Sequence, residues 1–353
     1  MSSAPIQIRG RGAAENPPNR FERIEVLPDP EGLDPDAPGP RTVFMRDPAR
    51  TLIVKNDSPD VSFDYSINPY RGCEHGCSYC FARPTHEYLG FSAGLDFETR
   101  IMVKEDAPEI LRRELSAPKW RGAALGMSGV TDPYQPVERR LGITRRCVEV
   151  LAEFRNPVAV ITKSHTVTRD ADLLAELARH DAAKVFLSIT TLEPALQRVM
   201  EPRASTPARR LEAVARLAEA GVPVGVLIGP VIPGLNDHEI PAILAESARA
   251  GASFASYVAL RLPHGLKELF ASWLELHFPD RRDRVLNRIR EIRGGELYDS
   301  RFHARGRGEG VYADHLASLF RVSRRKAGLP ESFPALSSAA FRHPPGAQLG
   351  LFG

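Results

Sequence analysis

From Ser62 onward, apolar and polar positions alternate between two periods. Short stretches rich in β-branched residues, Phe63–Asn68, Ala123–Ser128, Val158–Lys163, Val185–Thr190, Val224–Ile232 and Phe254–Arg261, predict strands. Between and after them, apolar residues recur at helical spacing over Pro108–Leu115, Arg140–Phe154, Ala171–His180, Pro207–Ala220, Glu239–Ala250 and Lys267–His277. Strand and helix in strict alternation predict a parallel sheet covered by helices, and six such units predict an α/β fold of the partial (β/α)6 TIM type.

The flanks lack this alternation. Residues 1–60, which include ENPPNRFERIEVLPDPEGLDPDAPGPR, are rich in Pro and Gly without periodicity and predict an irregular N-terminal extension. The barrel then occupies 61–280, a basic helical extension 281–330, and a flexible tail 331–353 that reads as too polar and Pro-rich to pack as a unit. The chain has 353 residues, 42% of them hydrophobic, enough for one large domain with extensions.

No apolar run approaches a membrane span; Val222–Ile232 is interrupted by Pro223, Gly225 and Gly229. The N-terminus has arginines but no apolar segment behind them, so it does not read as a secretory signal, and a cytoplasmic location is expected. In that compartment clustered cysteines point to metal or catalysis rather than to disulfides.

Charge is unevenly spread. The net formal charge is +3, yet Arg281–Ala327 holds 13 Lys and Arg against 6 Asp and Glu. That segment therefore carries +7 and the rest of the chain −4. Such a footprint suits a polyanion such as nucleic acid; it also suits a solvated helix face, since Val285, Leu286, Ile289 and Ile292 have helical spacing.

The candidate chemistry lies in CEHGCSYCF, Cys73 to Phe81, where three of four cysteines fall within eight residues just after the first strand. Parallel barrels assemble their sites at that end of the strands. Zinc would need a fourth ligand, which His75 or His86 could supply. Three thiolates alone suit a cubane iron–sulfur cluster with one iron open to an external ligand. Cys147, in TRRCVEVLAEF, sits among apolar helix residues and reads as a small buried hydrophobe.

The spacing Cys73-x3-Cys77-x-Tyr79-Cys80 ahead of serial β/α units resembles the radical S-adenosylmethionine enzymes, over about Ser62 to Leu276. SGVTDPYQPVE (128–138), TKS (162–164) and EPRAS (201–205) are similar to the spore photoproduct lyase-related, DNA repair photolyase-like subgroup. The resemblance implies that Cys73, Cys77 and Cys80 hold a [4Fe-4S] cluster whose open iron is chelated by S-adenosyl-L-methionine. It also implies an electron donor and reductive cleavage to a 5′-deoxyadenosyl radical, in a lyase- or oxidoreductase-type reaction.

Six further residues are candidates for binding the cofactor: Tyr79 against the adenine, Thr131 and Asp132 toward the ammonium, Lys163 toward the carboxylate, and Ser188 and Arg203 toward ribose and carboxylate. Each has a plainer reading: Tyr79 as loop packing, Asp132 before Pro133 as a turn former, Arg203 as a partner of Glu201. Lys163 closes so apolar a strand that its charge demands an anion. One departure stands out. Where the lyase uses a cysteine to return a hydrogen atom, this chain reads Gly129, beside Met127 and Ser128, so no hydrogen donor or other catalytic residue is assigned.

The chain ends in QLGLFG, and Gln348, Leu349, Leu351 and Phe352 resemble the short peptide by which bacterial repair and replication proteins hold the sliding clamp. Three functions follow: this radical chemistry on nucleic acid, in repair or modification; the same chemistry on a peptide or small metabolite; or a zinc-stabilised adaptor for nucleic acid or clamp.

Overall fold

A computed structural model describes residues 8–21, 39–61 and 63–344. Among the described residues ten strands form two sheets. They are β1 (Val43–Arg46), β2 (Val54–Lys55), β3 (Tyr65–Ile67), β4 (Tyr70–Arg71), β5 (Arg100–Val103), β6 (Leu125–Met127), β7 (Val158–Thr162), β8 (Ala183–Ser188), β9 (Val224–Val231) and β10 (Phe254–Ala259). The larger sheet runs β10-β9-β8-β7-β6-β3-β2, and every pairing from β3 to β10 is parallel. This is the six-stranded partial barrel that the periodicity predicts; β2 adds an antiparallel edge.

The strands are apolar because both faces are covered. Val158, Val160, Val185, Leu187, Val224, Val226 and Ile228 are buried, and Ile110, Leu111, Val148, Leu151, Leu174, Leu177, Val214, Leu217, Ile243 and Leu244 of the surrounding helices join them in one core. Cys147 lies in that core, fully buried. Among the described residues no helix is long and apolar enough to cross a membrane.

Three features differ from the sequence reading. The single helix predicted over Arg140–Phe154 is two, Glu138–Leu141 and Ile143–Phe154, because Gly142 adopts φ 64° between them. The short strands β1, β4 and β5, too brief to leave a period, form a second sheet beside the barrel mouth. The expectation that the tail does not pack fails over residues 331–344: Phe333 meets the rings of Phe186 and Phe254, Phe341 stacks with Phe154, and Ser337 N and Arg342 N donate to the carbonyls of Asp181 and Phe154. Two aromatic anchors outweigh a polar, Pro-rich composition. The peptide Gln348–Phe352 lies outside the described residues.

The basic extension contributes helices Pro279–Glu291 and Val311–Lys326. Part of its charge is paired with acids, within the extension or outside it: Arg282 pairs with Glu275, Arg288 with Glu291, Arg301 with Asp299 and Glu309, and Arg305 with Asp60. Arg293 is buried on the carbonyls of Leu260, Ala304 and Arg305.

Candidate active site

The cysteine loop follows β4 at the C-terminal ends of the barrel strands, held from several sides at once. The Thr131 hydroxyl and the Gln135 amide donate to Gly72 O at 2.6 and 3.2 Å, Glu74 N donates to Gln135 Oε1, and Ser78 N donates to Met200 O. Arg83, wholly buried, donates to Cys77 O and pairs with buried Glu98. Glu98 also accepts from Gly12 N and Ala13 N, which ties the N-terminal extension over the loop. Gly76, at φ +66°, lies so close to this carboxylate that a Cβ would stand 2.6 Å from Glu98 Oε2.

All four cysteines are free thiols. Burial raises the pKa of Cys73, Cys77 and Cys80; Asp132 adds to it at Cys73 and Glu201 at Cys77, while Arg83 opposes it at Cys80. Among the described residues no three Cys, His, Asp or Glu side chains converge on one point. A cubane asks for separated sulfurs, because each thiolate binds a different iron. The two histidines weighed as a fourth zinc ligand are turned elsewhere: His75 Nδ1 faces Asp132 Oδ2 at 3.3 Å, and His86 Nε2 faces Arg100 O at 2.8 Å. The donor set is thus three thiols on a rigid loop, which fits a cluster with one open iron.

Asp132 and Thr131, expected toward the cofactor's ammonium, have protein partners. Asp132 accepts from Thr162 Oγ1 at 2.6 Å, Tyr134 N at 2.9 Å and Lys163 N at 2.8 Å. Burial pushes its pKa up, but His75 and these donors outweigh burial and hold it below the usual carboxylate range. Asp132 therefore locks the ends of β6 and β7 to the cysteine loop.

Lys163, Ser188 and Tyr79 do come together. Lys163 Nζ donates to Ser188 Oγ at 2.8 Å and Gly229 O at 3.1 Å, and sits 5.7 Å from the centroid of the Tyr79 ring. The Tyr79 hydroxyl lies 3.3 Å from Thr190 Oγ1 and donates to Glu201, which in turn pairs with Arg210; all three side chains are buried. Burial would raise the Glu201 pKa, yet the charges of Arg210 and Lys163 bring it down to about 2. Glu201 feels the charge of Lys163, whose ammonium itself bonds Ser188 and Gly229 and meets no carboxylate among the described residues.

Arg203 does not bond Glu201. Its Nη2 meets Glu74 at 2.9 Å, and its backbone N donates to His75 O. Sequence reasoning assigned no role to Arg210, although a signal was there: it opens the buried stripe Arg210, Ala213, Val214, Leu217, where an arginine is out of place without a partner. Gly129 closes the β6 end with φ +118°, and a Cβ there would meet nothing within 4 Å.

A family model described as the radical SAM superfamily matches residues 67–246, spanning the cysteine loop and the strand ends just described. The chain belongs to the radical SAM superfamily. Within this superfamily it is 36% identical over 232 residues to an uncharacterized protein of Mycobacterium tuberculosis, covering 65% of this chain and 67% of that one. It is 25% identical over 186 residues to spore photoproduct lyase of Bacillus subtilis, covering 50% of this chain and 48% of the lyase. A solved structure of spore photoproduct lyase complexed with dinucleoside spore photoproduct shares the radical SAM fold with it, at TM-score 0.57 and 18% identity over 80% of this chain and 79% of the other.

Proposed function

We propose that this radical SAM enzyme holds a [4Fe-4S] cluster through Cys73, Cys77 and Cys80, binds S-adenosyl-L-methionine at the barrel mouth, and acts on nucleic acid. The observation that carries the reading is the three-thiol loop at the strand ends with Lys163, Tyr79, Glu201 and Arg210 packed against it. When bound, the cluster and S-adenosyl-L-methionine supply one-electron cleavage of the sulfonium and a carbon radical that abstracts hydrogen.

The protein's own residues prepare that site. Lys163 offers a cation that Ser188 and Gly229 hold in place, suited to a carboxylate. Tyr79, neutral because burial and then Cys77 and Glu201 keep its pKa far above the usual range, presents a ring face rather than a charge. His75 and Asp132 fix the loop between Cys73 and Cys77. The enclosing core of Leu260, Leu262, Leu266 and Phe270 keeps water from the side where Cys77 and Tyr79 pack.

Nucleic acid as substrate is supported by the relationship to spore photoproduct lyase and by basic side chains of the C-terminal helices that have no ion-pair partner among the described residues, such as Arg284, Arg325 and Lys326. Gly129 in place of a thiol supports a reaction other than that of the lyase. The test is anaerobic reconstitution followed by incubation with reductant, S-adenosyl-L-methionine and DNA or RNA. The expected products are 5′-deoxyadenosine and a nucleoside of changed mass. Cleavage stimulated only by peptides or small metabolites would overturn the substrate, and protein that takes up zinc but no iron would overturn the chemistry.

A further inference from the structure

An arginine-rich cleft beside the site lies outside the segment that charge counting singles out. A shallow cleft of about 610 Å³ opens beside the cysteine loop, lined by Arg9, Arg11, Arg41, Arg140 and Arg203, with Glu74 as its one carboxylate among the described residues. Its walls come from four places: the N-terminal extension, the cysteine loop through Glu74, the segment from Pro136 to the helix Glu138–Leu141 that carries Arg140, and the EPRAS segment.

Glu74 is already neutralised by Arg203. Arg11 is fixed without any carboxylate, donating to the carbonyls of Glu98 and Pro40 and to Thr42 Oγ1. Burial, and after it the charge of Arg203, lowers the pKa of Arg11, against the opposing charges of Glu98 and Glu74. Arg140 lies over the Phe44 ring at 5.0 Å, and Arg9, Arg41 and Arg140 are exposed with no ion-pair partner among the described residues. The contrast with Arg282, Arg288, Arg301 and Arg305, each paired to an acid, is direct.

Planar guanidinium forks such as those of Arg9, Arg41 and Arg140, which have no acid partner among the described residues, match phosphate oxygens, and a row of them matches successive phosphates. We propose that the cleft of Arg9, Arg11, Arg41, Arg140 and Arg203 seats the phosphodiester backbone of the nucleic-acid substrate, a site that rests on the nucleic-acid reading above. Arg203 N bonds His75 O and Glu74 directly follows Cys73, so a backbone seated here lies alongside the loop that carries the reaction.

The experiment is a salt titration of full-length protein with a fluorescein-labelled DNA duplex, read by anisotropy. Each phosphate neutralised contributes about −0.9 to the slope of log K against log salt. R9A/R41A/R140A is expected to flatten the slope by about 0.9 per arginine removed. R41A alone gives about a third of that effect, and R9K/R41K/R140K retains the slope. R284A/R325A/K326A, drawn from the basic C-terminal helices, is expected to flatten it by less than the cleft variant. If wild-type protein binds steeply and only the C-terminal triple variant flattens the slope, the cleft is not the backbone site while the nucleic-acid reading stands. If wild-type protein binds neither this duplex nor its RNA counterpart, that reading falls and takes the cleft with it.

Discussion

Tyr79, the aromatic between the second and third cysteines, donates its hydroxyl to Glu201, a residue 122 positions away that a buried arginine holds ionised. The cysteine loop is thereby pinned from across the barrel mouth. Y79F removes one hydrogen bond from a buried carboxylate and is expected to lower stability by about 1–3 kcal/mol. E201A leaves Arg210 buried and uncompensated and is expected to cost more, about 3–5 kcal/mol. Urea unfolding of both variants checks the order; a milder effect for E201A would show that Arg210 finds other partners.

The same pair sets an acid limit. Glu201 has its pKa lowered from 4.5 to about 2 on folding, so its contribution is fully present above pH 4.5 and is lost as pH falls through about 2. His86 acts in the same direction: burial brings its pKa from 6.5 to about 4, so the unfolded chain binds a proton first as pH drops below 6.5. Stability is expected to fall from pH 6.5 downward. E201Q should flatten the part of the curve below pH 4.5, as followed by thermal melts in a pH series.

Removing a single thiol tests the cluster. After anaerobic reconstitution the wild-type protein is expected to be brown with about four irons, and C77A to lose them. C147A, which changes a core residue, should keep its iron and lose only packing stability. Iron retained in C77A, or lost in C147A, would reassign the ligands.

Lys163 separates binding from assembly. K163A is expected to retain iron while weakening S-adenosyl-L-methionine binding by about 1.5–3 kcal/mol, the worth of a charge-assisted hydrogen bond. Equal affinity in equilibrium titration would leave Lys163 with a structural role alone, as the donor to Ser188 and Gly229.

Most of the barrel was legible because its strands are buried on both faces and its helices on one, so hydropathy alone carries the alternation. All six predicted strands overlap an observed one, with ends displaced by up to a few residues; β8 begins two residues before the predicted Val185 because Lys184 interrupts the apolar run. The strands β1, β4 and β5 left no period to read. At the site, spacing marked the three cysteines and Lys163. The partnerships of Asp132 with His75, Glu201 with Arg210 and Arg203 with Glu74 depend on which loops meet at the mouth, which no local pattern encodes. The charge count went to Arg281–Ala327 because a sum over sequence ignores pairing with acids elsewhere, such as Asp60 with Arg305.

The C-terminal segment divides into an anchored part and a terminal peptide. Deleting 348–353 is expected to abolish any binding to a bacterial sliding clamp without altering the melting temperature. Truncation after Glu331 removes Phe333 and Phe341 as well, and should cost about 1.5–3 kcal/mol for each aromatic anchor that is lost. Clamp binding that survives the shorter deletion, tested by pull-down with purified clamp, would reject the peptide reading.

The anchored part also sets a direction of approach. Phe341 packs by Gly122 and Phe154, and Ser337 bonds Asp181, all at the ends where β6, β7 and β8 begin. The thiols stand where the strands finish. The chain thus passes residue 344 at the rear of the barrel, so a partner gripped by the terminal peptide would be leashed behind the enzyme. A partner held there would leave the front door free, and tether and substrate would not compete for the same surface.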